Sequence, residues 1–160
     1  MPITITEADL RLPRDADATL ALLDAYSRDP MGDGAPLPED VKAKLIPGLL
    51  AHPTTLVLLA WDGDAPVGIA TCFLGFSTFK AKPLLNIHDL AVLPERRGEG
   101  IGPQLLDAAA AAARARGCCK LTLEVLENNH RARKVYAAAG FAQASYQEEA
   151  GGALFYAKPL

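Results

Sequence analysis

Residues 93–106 read LPERRGEGIGPQLL, with glycine at 98, 100 and 102. The apolar run LLNIHDLAVL (84–93) leads into this stretch, and an alanine-rich segment with helical character follows it. Alternate glycines therefore stand where a strand gives way to a helix. Glycine at such a junction either makes a tight turn or lets a ligand approach the backbone without meeting a Cβ atom. A helix N-terminus exposes unpaired N–H groups and carries partial positive charge. Glycines in front of it leave those donors open to an anion such as a phosphate.

Three glycine-loop patterns compete for this stretch. A P-loop requires GxxxxGK[ST], and no lysine or hydroxyl stands at the matching place. A dinucleotide fingerprint requires GxGxxG, whereas Gly98, Gly100 and Gly102 are spaced GxGxG. The third pattern, RxxGxG, is met by Arg97-Gly98-Glu99-Gly100-Ile101-Gly102.

Working outward, ITIT (3–6) predicts a first strand, and ADATLALLDAY (16–26) places Leu20, Leu22, Leu23 and Tyr26 at helical spacing. SRDPMGDGAPLP is a loop by its proline, glycine and aspartate content. A second helix starts near Pro38 with two acids in its first turn, and Pro47 is expected to kink or end it. TTLVLLAW (54–61) and VGIATCFLGF (67–76) flank DGDAP as the arms of a hairpin. Beyond the loop come a helix over 100–116, a strand over 119–126 and a helix over 128–140, with asparagine as N-cap and Gly140 closing it. Two short strands around Gly151 and Gly152 complete the order. The alanine run 108–113 reads as packing, since alanine is the best helix former and lets a helix lie close to a sheet.

The 160 residues are half hydrophobic and 22% charged, the profile of one globular domain over 1–160. A net charge of −3 argues against a nucleic-acid surface. No apolar run approaches the roughly 18 residues of a membrane span, and MPITITEADLR lacks the basic and apolar regions of a secretory signal. Cys72, Cys118 and Cys119 form no even framework and no CxxC, so they read as reduced thiols of a cytoplasmic protein. No metal site is expected.

With LAVLPERRGEG placed between a strand and a long helix, the chain resembles the GNAT N-acetyltransferases, whose pyrophosphate loop has the RxxGxG spacing. A second motif supports the resemblance: LTLEVL, then Asn129, Ala132 and Tyr136, then the pair Gly140-Phe141. The likeness covers about residues 54–142. It implies a single α/β (α+β) domain with a central mixed, mostly antiparallel sheet of six to seven strands and about four helices. It also implies acetyl-CoA as donor. Backbone groups of Arg97, Gly98, Glu99, Gly100, Ile101 and Gly102 would hold the pyrophosphate, and Leu90, Ala91 and Val92 would meet the pantetheine arm as an added strand. Asn129 and Tyr136 join the cofactor set, with Tyr136 as the acid that protonates the departing thiolate. Arg96, Arg131, Arg133 and Lys134 could meet the remaining phosphate.

FSTFK (76–80) and His88-Asp89 make the chain similar, more narrowly, to the diamine and polyamine branch, which includes the thialysine acetyltransferases. That branch carries Glu-Asp where this chain has His88-Asp89, near the substrate amine. The narrower likeness implies a homodimer acting on a small-molecule amine. His88 is a candidate base, because an imidazole of ordinary pKa, about 6.5, is competent at neutral pH. Strand alternation puts His88 on one face with Asn86 and Leu90, and Asp89 on the other, unless a bulge shifts the register. No Ser-His-Asp set or activated-cysteine context appears, so direct attack of a primary amine on the thioester is the expected reaction. Two alternatives stay open at this level: a CoA-binding regulatory module without catalysis, and acetylation of protein N-termini or lysines.

Overall fold

In a computed structural model, which describes residues 2–160, the apolar runs on either side of Gly63 form the expected hairpin. Strand β2 (Thr55–Asp62) pairs antiparallel with β3 (Ala65–Ser77) from Thr55↔Phe73 to Asp62↔Ala65. Leu59, Ala60, Ile69 and Ala70 have no exposed surface. These strands are covered on both faces, which is why they read as continuous apolar runs rather than as an alternation. Strand β1 (Ile3–Glu7) joins β2 antiparallel, β4 (Lys82–Val92) joins β3 antiparallel, and β5 (Leu121–Leu123) joins β4 parallel. The sheet order is β1-β2-β3-β4-β5.

Helices cover both faces of this sheet. On one, α1 (Pro13–Arg28) lays Ala18 and Leu22 with Leu10 against Val57, Leu59, Trp61 and Ile69. Trp61 is fixed further by its Nε1–H, which donates to Thr6 Oγ1 at 2.9 Å, and by the Arg14 guanidinium 3.8 Å above its ring. Helix α2 (Glu39–Ala51) buries no residue fully and rests on the core through Ile46 and Leu49. Pro47 lies inside α2, which continues past it to Ala51, so it does not end the helix. On the other face, α3 (Ile101–Ala115) buries the stripe Ile101, Leu105, Leu106, Ala109 and Ala113. A Cβ added to Gly68 would stand 3.1 Å from Ile101 Cγ2 and 3.2 Å from Leu105 Cδ1. That missing side chain lets the start of α3 sit directly on β3.

The described chain divides into two compact units, Met1–Leu126 and Glu127–Leu160. The first holds the whole sheet. In the second, α4 (His130–Ala138) begins at Asn129, whose Oδ1 accepts the Ala132 N–H at 3.2 Å, and Gly140 follows its end at φ +93°.

The sheet has five strands, not six or seven. The two closing strands expected around Gly151 and Gly152 are absent. The segment instead makes a short 3₁₀ turn, Glu148–Ala150, and one backbone link from Ala153 N–H to Ala144 C=O at 2.7 Å. Alternation signals a strand only if a ladder partner is at hand, and here Leu154, Phe155 and Tyr156 stay exposed. The strand expected over 119–126 contracts to Leu121–Leu123 for a related reason. Its ladder stops at Ile87↔Leu123, where β4 bulges and bends away.

Candidate active site

The glycine question has a geometric answer. Pro94–Arg96 makes one 3₁₀ turn, after which Gly98 (φ +82°) and Gly100 (φ +78°) take left-handed backbone that other residues adopt at a cost. Gly100 is the N-cap of α3 and supplies no side-chain cap. A Cβ built on Gly98 or Gly100 would meet no atom within 4 Å, so the space over the loop is open. The glycines both turn the chain and leave the front of α3 bare.

The arginines beside the loop are committed to carboxylates. Arg96 donates through Nε to Glu99 Oε2 at 2.9 Å and through Nη1 to Asp62 Oδ2 at 3.0 Å. Those hydrogen bonds hold the Glu99 carboxyl below its usual range, against a smaller opposing effect of desolvation. Arg97 Nη2 meets Asp29 Oδ2 at 2.5 Å, tying the loop to the end of α1. Arg96 therefore braces the loop rather than reaching out for a phosphate.

Strand β4 leads into this loop with one edge open. Its far edge pairs with β5 only over Leu85–Ile87, while β3 follows the other edge as far as Val92. Residues 88–92 thus present unpaired backbone on the β5 side, immediately before the bare helix terminus.

His88 is the inserted residue of a β-bulge: Cys72 faces Ile87 and Thr71 faces Asp89, with nothing across from His88. The expected separation of His88 and Asp89 onto opposite faces is corrected by this shift. Thr71 and Phe73 lie two residues apart on β3 and so share a face. Thr71 Oγ1 donates to Asp89 Oδ2, and the Phe73 ring stands 5.7 Å from that of His88. Both sequence neighbours therefore occupy the α1 side of the sheet. The His52 ring also packs edge-on against Phe73, at 4.8 Å.

Tyr26 of α1 completes this patch. Its phenol is pushed upward, first by burial and then by the negative charges of Asp89, Asp29 and Asp33. It lines a narrow slot between α1 and β4 with Leu22, Ala91, Leu93 and Arg97. A larger cavity, about 530 Å³, lies beyond His52 and is lined by Leu49, Leu50, Leu56 and neighbours; no loop residue borders it. Under the patch, Cys72 is pushed up to about 12, chiefly by burial and then by Asp89. It stays a thiol at working pH and supplies no nucleophile.

The first unit thus brings together His88, Leu90–Val92 and the 97–102 loop. Asn129 and Tyr136 lie in the second unit, where Tyr136 is half-buried on α4 with its ring 6.0 Å from Phe141. Arg133 donates to the Glu127 carbonyl at 2.9 Å. Sequence reading missed Thr71, Tyr26, Asp29 and His52. Thr71 alone left a signal, a hydroxyl in the middle of the otherwise apolar run VGIATCFL.

An antiparallel sheet whose central strand parts from its neighbour beside a glycine-led helix is the architecture of an N-acyltransferase. The Acetyltransferase (GNAT) family model matches residues 19–141, and the chain belongs to that family of enzymes. It is 46% identical over 77 residues to an uncharacterized N-acetyltransferase of Archaeoglobus fulgidus, a match covering 48% of this chain and 52% of that protein. It is 37% identical over 79 residues to the thialysine N-epsilon-acetyltransferase of Bos taurus, covering 49% and 46%. The chain thus spans about half the length of these curated relatives. Among solved structures, an integron cassette protein from the mobile metagenome of V. cholerae superposes with a TM-score of 0.76 at 26% identity, covering 98% of this chain and 94% of that one.

Proposed function

We propose that this protein transfers the acetyl group of acetyl-CoA to a primary amine of a small molecule, by direct attack. The observation that carries the reading is the open β4 edge at 88–92 running into the bare N-terminus of α3. Backbone N–H groups at the front of α3 and in the 97–102 loop suit a pyrophosphate, and the open edge at Leu90, Ala91 and Val92 suits the amides of a pantetheine arm. Bound acetyl-CoA supplies the activated thioester. A backbone N–H near Val92 would polarise its carbonyl. The amine nitrogen forms the new C–N bond as the C–S bond breaks, and the thiolate takes its proton from Tyr136. His88 receives the proton that the amine must lose. Asn129 caps α4 and keeps the Tyr136 helix in register; exposed Arg131 and Lys134 are the cations left for the outlying phosphate.

The family match crosses the boundary between the two units, which supports one N-acetyltransferase domain over 1–160. Likeness to a thialysine acetyltransferase supports a small amine and a cytoplasmic homodimer. No described helix is long and apolar enough to cross a membrane. The decisive assay follows free thiol released from acetyl-CoA in the presence of spermidine, L-lysine, kanamycin or a short peptide with a free N-terminus. Amine-dependent release is expected. Tight CoA binding with no release for any amine would make the protein a non-catalytic CoA-binding module.

A further inference from the structure

We propose that Thr71 is a positioning residue that holds Asp89 as the anchor for the acceptor's ammonium group. The inference rests on the acyl-transfer reading above and adds a part to the acceptor side. Thr71 is 1% exposed in the centre of β3, where a hydroxyl costs stability unless it is hydrogen-bonded. Its Oγ1–H donates to Asp89 Oδ2, so the buried hydroxyl is spent on that carboxylate. A β-branched side chain on a central strand has little freedom at χ1, so the donor is fixed in direction. A hydrogen bond to an ionised acceptor is also roughly twice as strong as a neutral one.

Asp89 is partly exposed, and among the described residues it makes no ion pair with Lys, Arg or His. The groups around it are the Thr71 hydroxyl, the Cys72 thiol, the Tyr26 phenol on α1, and His88 next to it in the chain. The carboxylate therefore lacks a counter-charge, and one oxygen is locked by Thr71. The other oxygen remains to accept from a cation brought in by the ligand. The bulge that inserts His88 keeps Asp89 opposite Thr71, so the same distortion sets a base and an anchor on one face.

The test uses the full chain, acetyl-CoA and whichever of spermidine, L-lysine, kanamycin or the peptide is turned over fastest. Thr71→Val keeps the shape and removes the hydroxyl. It should raise the amine KM about tenfold or more and leave the acetyl-CoA KM within about twofold. Thr71→Ser should restore most of the loss, because it returns the donor. Asp89→Asn should raise the amine KM at least as far, and the double variant Thr71→Val/Asp89→Asn should be no worse than Asp89→Asn alone. If Asp89→Asn raises the amine KM while Thr71→Val does not, or if the two losses multiply, the positioning role is wrong and acyl transfer stands. If Thr71→Ser fails like Thr71→Val while both stay folded, shape and not the hydroxyl is what β3 supplies, and the proposal fails. An unchanged amine KM in Asp89→Asn overturns the anchor itself. Absence of turnover for every amine overturns acyl transfer and this inference together.

Discussion

Tyr136 and His88 are assigned the two proton transfers, and each can be removed with its surroundings left nearly intact. Tyr136→Phe keeps the ring and its contact with Phe141 but loses the proton. Turnover should fall about 10²-fold or more, the usual scale for a lost general acid, with CoA affinity by calorimetry nearly unchanged. Equal turnover would demote Tyr136 to a packing residue. His88→Ala should abolish the acidic limb of the kcat/KM–pH profile and leave the acetyl-CoA KM unaltered. Because His88 is an exposed bulge residue with no ladder partner, its truncation should cost little stability. A persistent acidic limb would pass the role to Asp89 or to solvent.

The α3 terminus is the element on which cofactor binding depends. Gly100→Ala places a methyl group in open space at φ +78°, so inside the protein it brings backbone strain without a clash. That strain is worth roughly 1–2 kcal/mol of stability. The same methyl stands where a pyrophosphate must approach, so CoA affinity should fall as well. Gly117→Ala is the matched control: its φ is +72°, it too has nothing within 4 Å, and it lies at the far end of α3. Calorimetry should show normal CoA affinity in Gly117→Ala and a weakened one in Gly100→Ala, at similar losses of Tm. Equal affinities would reduce the glycine loop to a turn.

For the molecule as a whole, a ligand that binds only the folded state adds about 2.7 kcal/mol at a hundred times its Kd. In a chain of this size each kcal/mol moves Tm by roughly 2–4 °C. Saturating CoA should therefore raise Tm by about 5–10 °C in a thermal-shift experiment, and no shift would argue against the cofactor. Much of this architecture was legible in the sequence because it is written locally. Helix caps, the Gly63 turn, the two-sided apolar hairpin and the glycines ahead of α3 each depend on a few neighbouring residues. The order of elements and the loop followed from them. Pairing is not local. The alternation of the closing segment found no ladder partner, and β5 stopped at Leu123, because a strand exists only where another chain segment meets its hydrogen bonds. Thr71 and Asp89 lie 18 residues apart and meet only through the β3–β4 register. One inserted residue in that register moved His88 and Asp89 onto the same face, since side-chain direction along a strand has a period of two and a bulge resets its phase.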